Sequence, residues 1–258
     1  MVTIAVTNQK GGVGKTTIAF NLAQILSACH GKKVLAIDND PQANLTSSFT
    51  EEAATSYIKD AFDDKPLAPE PVSRNLSFVG ADISLATVAE RDFQVVFKLN
   101  ESLERIKDRY DYIIIDCLPS FGHLHLSALI AADYVLIPIR PAPYALAGIR
   151  DLFGTIAKAK KYFNAKIKIL GIVINQSDSR KLKMETQMEK ALREAYGEMV
   201  FEAKINKRVG IEESPAFQKP IIQYRPKEKA ALEFRAFAKE LLQRPHTLEY
   251  KLPGFNEK

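Results

Sequence analysis

A glycine-rich segment near the start of the chain carries the residue types that bind phosphate groups. It lies between a predicted strand and a predicted helix and reads Lys10-Gly11-Gly12-Val13-Gly14-Lys15-Thr16-Thr17. Backbone N–H groups of such a turn can point together at a polyphosphate, and the following helix N-terminus adds a positive dipole end. Lys15 would reach the β- and γ-phosphates, and the Thr16 hydroxyl would complete the shell of a Mg²⁺ ion. The pattern predicts nucleotide binding rather than a turn without a ligand, although Gln9 replaces the first glycine of the strict P-loop.

Two carboxylates follow the apolar run at residues 34–38 (VLAID), in the sequence Asp38-Asn39-Asp40-Pro41. Alternation along an extended strand sends Asp38 and Asp40 to the same side, towards the predicted phosphate loop. One carboxylate there can hold a water of the Mg²⁺ shell, and a second can orient the water that attacks the γ-phosphate. The alternative for Asp40 is a turn or helix N-cap residue before proline.

Two further polar residues end apolar runs. Asp116 follows Tyr112–Ile115 (YIII), which is the Walker B arrangement of a buried strand delivering a carboxylate to Mg²⁺. Asn175 ends the run at 167–175 (IKILGIVIN), at the edge where a nucleotide base could sit. An amide there could read the base, and a strand-terminal turn residue is the other interpretation. Cys117 is interpreted as a small buried residue because no histidine or second cysteine accompanies it.

The elements that must position these residues alternate along the chain. Strands are predicted at 2–7, 34–38, 76–79, 112–116, 134–139 and 167–175, and helices at 17–28, 84–110, 120–132, 145–163, 181–196 and 228–243. A Pro-bearing stretch from Asp63 is predicted to be a surface loop. Continuous apolar strands separated by helices indicate an α/β fold with a doubly wound, mostly parallel sheet covered on both faces. Ligands of such sheets bind at the carboxyl ends of the strands.

Composition excludes several classes of protein. The 258 residues are 46% hydrophobic and 26% charged, which excludes disorder and fibrous repeats. Two distant cysteines, Cys29 and Cys117, and four histidines without ligand spacing exclude a structural zinc site or disulfide scaffold. The N-terminus resembles no signal peptide, and no apolar run could span a membrane. We therefore expect a cytoplasmic protein made of one domain over residues 1–258.

The motifs together resemble the ParA/MinD class of P-loop ATPases with a deviant Walker A motif. The resemblance rests on KGGVGKT, on DNDPQ with its unusual Asn39, on the Walker B run and on a C-terminal stretch, from residue 4 to about 242. It implies ATP and Mg²⁺ as cofactors, Asp38 as the metal-side carboxylate, and Asp40 as the residue needed for hydrolysis. It also implies adenine recognition near Asn175 and a homodimer on ATP binding. In the family, the lysine at the position of Lys10 crosses the dimer interface to the partner's nucleotide. Taken alone, Lys10 is an exposed loop lysine.

The last third of the chain holds most of the positive charge, with 17 basic and 13 acidic residues after residue 175 in a chain of net charge +5. Glu213-Ser214-Pro215, Lys219-Pro220-Ile221 and Tyr224 align with the family stretch whose basic residues face DNA. Non-specific DNA contact through phosphates is predicted for Lys204, Lys207, Arg208, Lys219, Arg225 and Lys227.

The resemblance implies a partition ATPase of the Soj-like type with slow intrinsic hydrolysis, nucleoid-associated when ATP-bound. A ParB-like partner would stimulate hydrolysis and release from DNA. The loop begins at residue 10, so no N-terminal helix-turn-helix extension is expected. The main alternative is a MinD-like or other positioning ATPase acting on a membrane or protein cargo, but the sequence after Gln243 shows no amphipathic stripe. A reductase like the nitrogenase iron protein is a second alternative, which Cys29 and Cys117 do not suit.

Overall fold

Seven strands form one sheet in which β1 lies between β5 and β6. The computed structural model describes residues 1–142, 145–177 and 183–244. The strands are β1 (Val2–Val6), β2 (Val34–Asn39), β3 (Glu70–Ser73), β4 (Leu76–Val79), β5 (Tyr112–Cys117), β6 (Tyr134–Ile139) and β7 (Lys168–Ile174). Their order is β3-β4-β2-β5-β1-β6-β7, and each neighbouring pair is parallel except β3 with β4. The predicted doubly wound, mostly parallel sheet is confirmed.

Helices cover both faces of this sheet. They are α1 (Lys15–His30), α2 (Asn44–Phe49), α3 (Lys59–Phe62), α4 (Lys98–Glu104), α5 (His123–Ala131), α6 (Ala145–Tyr162), α7 (Lys183–Tyr196), α8 (Val209–Glu213), α9 (Ile221–Tyr224) and α10 (Lys229–Gln243). One apolar core lies between the sheet and α1 with α10, and a second between the sheet and α4, α5 and α6. In these ranges no helix has both the length and the apolar character needed to cross a bilayer.

The register of the three central strands determines where the site lies. Asp116 of β5 is the Cα partner of Val6 in β1 and of Asp38 in β2. Partners in a parallel sheet point to the same face, so both carboxylates lie on the face that α1 covers. The next residues, Asn39 and Cys117, are also partners and face α5. The sheet therefore brings Asp38 and Asp116 side by side at its carboxyl edge.

Two predicted segments differ from the structure. The Pro-bearing stretch after Asp63 is not only a loop, because it contains β3, an exposed edge strand paired antiparallel with β4. The single helix predicted over 84–110 is wrong: 3₁₀ turns at Ile83–Glu90, Phe93–Phe97 and Lys107–Arg109 flank a short α4. The β-branched and aromatic residues between 93 and 97 lose rotamer freedom in a helix, which weakens a long continuous one.

Other boundaries shift by one to three residues. The first helix begins at Lys15 and ends at His30, where Gly31 takes the left-handed conformation and its N–H bonds back into the last turn. Residues 181–182 of the predicted helix 181–196 and the tail from residue 245 onward lie outside the described residues.

Candidate functional site

The loop between β1 and α1 takes a conformation that its glycines allow. Gly12 and Gly14 have positive φ angles of 70° and 85°, which cost non-glycine residues strain. Gly14 is the N-cap of α1, and its carbonyl accepts from the Ile18 N–H at 2.9 Å. Asn8 fixes the start of the loop, because its Oδ1 accepts from the Lys10 N–H at 2.9 Å and its amide donates to Pro138 O at 2.8 Å. The predicted phosphate loop is thus preformed.

Asn175 braces this loop from the end of β7. Its buried amide nitrogen donates to the carbonyl of Val13 at 2.8 Å. A Cβ added at Gly14 would overlap the amide of Asn175, so the close approach requires glycine there. The structure therefore gives Asn175 a contact with the phosphate loop. Adenine recognition by the same residue stays a prediction.

Lys15 is buried below the loop it follows. Its Nζ donates to the carbonyl of Lys10 at 3.5 Å, so the side chain folds back across the turn. Burial lowers the pKa of the Lys15 ammonium, while the carboxylates of Asp116 and Asp40 oppose that shift. The nearby carboxylates show that this cation lies in the same cluster as the predicted metal-side residues. A phosphate entering the loop would meet a buried lysine that has no ion pair within the described chain.

Asp116 sits at the centre of the cluster with one oxygen unused. The Thr16 hydroxyl hydrogen-bonds its carboxylate, whereas the buried Oδ1 has no hydrogen-bond partner in the described chain. Burial and the neighbouring Asp38 carboxylate raise the pKa of Asp116 well above its usual range. A divalent cation would reverse that effect, because it favours the ionised carboxylate. The orphaned oxygen beside Thr16 fits the water shell of a Mg²⁺ ion held by Thr16 and the phosphates.

Asp38 is held rigidly by the helix that follows it. Its Oδ2 accepts from both the N–H and the hydroxyl of Thr46 in α2, each at 2.8 Å, and its Oδ1 accepts from the Asp40 N–H at 3.2 Å. Burial raises the pKa of Asp38 to about 6, and the Thr46 hydrogen bonds oppose the shift. Asp38 and Asp116 are thus neighbouring carboxylates in one dry pocket, as the metal prediction requires.

Asp40 and Lys10 occupy the open side of the cluster. Asp40 is half-buried, its Oδ1 accepts from the Gln42 N–H at 2.9 Å, and its charge acts on Lys15, Asp38 and Asp116. Asp40 therefore takes a turn geometry, and no hydrogen bond to its Oδ2 is found in the described chain, so this oxygen can meet a water. Lys10 is exposed and makes no ion pair in the described chain. Its role across a dimer interface stays a prediction.

Magnesium suits this donor set better than a metal that needs a closed protein cage. Within the ranges that the structure describes, no three His, Cys, Asp or Glu side chains form a ready metal cluster. Mg²⁺ is commonly held by one or two carboxylates together with waters and substrate phosphates. Thr16, Asp116 and Asp38 can supply that protein share, and a phosphate in the loop would supply the rest.

A second polar group lies behind the loop, on the face that α5 covers. Thr7, directly after β1, contacts the Nε2 of His125 through its Oγ1 at 2.8 Å and also hydrogen-bonds the sulfur of Cys117. Phe121 packs edge-on against the His125 ring at 5.8 Å. Burial, together with the nearby charge of Lys15, lowers the pKa of His125 to about 4. His125 is therefore neutral and links the loop strand to the segment after Asp116.

Sequence reasoning missed the residues that hold the site together. Thr46, Asn8 and Thr7 are single polar residues without a motif, and His125 belongs to no ligand spacing. The one available signal was that Thr7 and Asn8 follow an apolar strand directly, at the edge where ligands bind. Cys117 is buried as predicted, and burial raises the pKa of its thiol.

The six predicted DNA-binding residues divide into two groups. Lys219 and Lys227 are exposed and make no ion pair in the parts of the chain that are described. The other four are paired with carboxylates of the protein itself, which reduces the charge they present to a polyanion. The pairs are Lys204–Glu189 (2.7 Å), Lys207–Glu212 (3.5 Å), Arg208–Glu233 (2.7 Å), Arg225–Glu213 (2.8 Å) and Arg225–Glu228 (2.8 Å).

Comparisons with known proteins agree with this geometry. A sequence model of the AAA domain family matches residues 1–169. The sporulation initiation inhibitor protein Soj of Bacillus subtilis is 36% identical and aligns over 92% of this chain and 97% of its own. The chromosome partitioning protein ParA of Myxococcus xanthus is 37% identical, over 93% and 88%. A crystal structure of cobyrinic acid a,c-diamide synthase from Mycobacterium smegmatis with bound ATP analogue and magnesium is 26% identical, covers 94% of each chain and has a TM-score of 0.81.

Proposed function

Because the chain belongs to the ParA/Soj family of P-loop ATPases, we propose that it is a DNA-partition ATPase that uses ATP and Mg²⁺. It hydrolyses ATP to ADP and phosphate. The observation that supports the site most strongly is the in-register pair Asp38 and Asp116 beside Lys15. The partition role is supported by the relatives named Soj and ParA.

In this proposal, the main-chain N–H groups from Gly11 to Thr17 bind the phosphates and Lys15 neutralises the β/γ-phosphate charge. Mg²⁺ would be held by Thr16 with Asp116 and Asp38, and it would neutralise charge that develops on the transferring phosphate. Asp40 orients the attacking water through its free oxygen. Thr46 keeps Asp38 in place, and Asn175 keeps the loop in place.

Two subunits would enclose two ATP molecules, each completed by Lys10 of the opposite chain. The exposed position of Lys10 at the carboxyl edge of the sheet, without an acidic partner in the described chain, supports this role. Lys10→Ala should leave ATP binding intact, because Lys15 supplies the nearest charge, and should lower DNA-dependent hydrolysis by about tenfold or more. Calorimetry and phosphate release measure the two quantities. If the Lys10→Ala variant hydrolysed ATP at the wild-type rate and dimerised normally, Lys10 would be a surface lysine only.

The ATP-bound dimer would bind duplex DNA through phosphates and associate with the nucleoid, and a ParB-like protein would stimulate hydrolysis and release. Support comes from the relatives and from Lys219 and Lys227, whose charges are uncompensated in the described chain. The chain as given would form one such domain.

The direct test is the rate of ATP hydrolysis with and without non-specific duplex DNA. We expect slow basal turnover and a clear increase with DNA, lost at high salt. Hydrolysis unaffected by DNA, together with ATP-dependent sedimentation on anionic vesicles, would instead support a MinD-like positioning ATPase. The variant Lys15→Ala is the control for contaminating activity.

A further inference from the structure

A strip of aromatic side chains is exposed on the helical face of the protein beside α5. Tyr162 is 65% exposed, Phe93 is 49% and Phe163 is 37%. The rings of Phe93 and Phe163 lie 5.7 Å apart, and both contact Phe97, at 6.3 and 6.2 Å. We call these four residues the aromatic strip. Contiguous exposed apolar surface of this kind marks interaction sites in monomers.

The aromatic strip is held in place from below. The amide of Asn164 donates to three carbonyls at the end of α5, those of Leu129, Ile130 and Ala132, at 2.8–3.0 Å. The Phe163 N–H closes the end of α6 on the carbonyl of Ala159 at 2.9 Å. A surface fixed in this way loses little conformational entropy when a partner binds.

Lysines accompany the aromatic strip along the end of α6, where the Lys161 ammonium lies 5.4 Å from the Tyr162 ring centroid. Residues 152–167 contain no Asp or Glu and four lysines, of which Lys158, Lys161 and Lys166 are exposed. None of these lysines makes an ion pair in the described chain. We call these three residues the lysine border. On the other side, the neighbours of Phe93 include the exposed carboxylates Glu90 and Asp92. The rings therefore have lysines on one side and carboxylates on the other.

We propose that the aromatic strip and the lysine border together form a docking site for an acidic polypeptide segment that carries aromatic or leucine side chains. The rings would bury the apolar side chains, and the carboxylates of the segment would meet the lysine border. Aromatic anchors surrounded by charges that improve the rate and orientation of binding are typical of protein–protein contacts. The inference does not depend on what the nucleotide site does.

Charge complementarity favours this occupant over duplex DNA and an anionic bilayer. A second copy docking through the same face could set its lysine border against Glu90 and Asp92 of the first, so nucleotide-free dimers that both site variants abolish, with no peptide bound, would overturn the proposal. Duplex DNA offers the rings no apolar partner, and an anionic bilayer is a broad surface that would also face Glu90 and Asp92. A peptide can instead follow the basic border alone.

The end of the site that carries Tyr162 and Phe163 lies away from the nucleotide cluster, whereas Phe93 at the other end packs against His123 at the start of α5, at 6.0 Å between ring centroids. The carbonyls that hold Asn164 precede β6, at the amino edge of the sheet, whereas the phosphate loop is at the carboxyl edge. A partner could therefore bind there while ATP is bound. Variants of the site should also leave ATP binding unchanged, and this serves as the folding control.

The test is selection of a displayed random 12-residue peptide library on the full-length wild-type protein, followed by fluorescence anisotropy with the enriched peptides. Two variants change the site, Lys158→Glu/Lys161→Glu and Phe93→Ser/Tyr162→Ser. The matched control, Lys33→Glu/Arg74→Glu, reverses two exposed basic residues elsewhere. Each variant is used after its ATP affinity and melting temperature are shown to match wild type.

We expect enriched peptides with net negative charge and at least one aromatic residue or leucine. Their affinity should fall about tenfold or more in both site variants and stay unchanged in the control. No enrichment, enrichment without acidic residues, or equal binding to the site variants would overturn the proposal. A second contradicting result concerns other ligands. If the Lys158→Glu/Lys161→Glu variant lost binding to phosphatidylglycerol vesicles or duplex DNA but still bound the peptides, the proposal would also be overturned.

Discussion

Gly14 is the residue on which the phosphate loop depends most directly. It combines a φ angle of 85° with contact against Asn175, whereas Gly11 has open space around the position of a Cβ and no positive φ. Gly14→Ala should therefore unfold at a lower temperature, since a left-handed alanine alone costs about 1–2 kcal/mol. Gly11→Ala is the matched control and should melt like wild type. Equal melting of the two variants without nucleotide would contradict the described geometry.

Asp38 and Asp116 show how a single residue's state depends on its neighbours. Burial raises the pKa of both carboxyl groups; the Asp38 carboxylate raises the pKa of Asp116 further, and the Asp40 carboxylate raises that of Asp38. Two hydrogen bonds from Thr46 oppose the rise in the pKa of Asp38. Asp116 keeps one oxygen without a hydrogen bond in the described chain. The proposed Mg²⁺ would remove the repulsion, because it stabilises both carboxylates at once.

At the scale of elements, α5 is tied to β1 through His125 and Thr7 behind the loop. A histidine buried in its neutral form binds its proton less readily in the folded protein than in the unfolded chain. Its folded pKa of about 4 lies below the usual 6.5. Its contribution to stability is therefore complete above pH 6.5 and is lost as the pH falls towards 4.

The variant His125→Gln removes this titration and can keep a hydrogen bond to Thr7. Between pH 7 and pH 5, the free energy of unfolding should fall by about 2 kcal/mol more in wild type than in the variant. Urea unfolding at both pH values measures this difference. Comparing wild type with the variant cancels the titration of Asp38 and Asp116, which both proteins share. The exposed His30→Gln serves as control. Parallel losses in wild type and His125→Gln would show that His125 is not buried as described.

The elements were largely predictable because the apolar β-branched runs and the helical spacing are local signals. The run at 112–116 and the Gly-Lys-Thr ending placed β5 and the start of α1 close to where the structure has them. The stretch 84–110 was predicted poorly, because its apolar residues suit a helix while the backbone turns at Arg91 and again before Lys107. The edge strand β3 carries Pro71, which sequence reasoning takes as a loop signal.

Residues of the candidate site were predictable only where they belong to a recognisable sequence motif. Lys15, Thr16, Asp38 and Asp116 come together as expected. The support from Thr46 and His125 depends on contacts between residues 8 and 118 positions apart, which no local pattern encodes. The ion pairs that occupy Arg208 and Arg225 were equally invisible, because Glu233 and Glu213 approach them only in the fold.

At the scale of the whole molecule, the proposed DNA surface rests on charges that the protein does not already neutralise. The double variant Lys219→Ala/Lys227→Ala should bind duplex DNA more weakly, and its plot of log affinity against log salt should be shallower by up to about 2 for each subunit of the ATP-bound dimer. Anisotropy across a salt series measures both. Lys204→Ala is the control, since Glu189 already pairs with Lys204 at 2.7 Å, and should change the slope less. An unchanged slope in the double variant would place the DNA surface elsewhere.

The central claim is that ATP binding, and not its hydrolysis, produces the DNA-binding form. Asp40→Ala separates the two, since Asp40 is proposed to orient water while the loop, Lys15 and Mg²⁺ provide affinity for the nucleotide. The decisive measurement is ATP-dependent binding of Asp40→Ala to non-specific duplex DNA, with phosphate release recorded in parallel. We predict hydrolysis near background and DNA binding kept or strengthened, still lost at high salt. Normal hydrolysis, or ATP-bound protein that never binds DNA, would contradict the account.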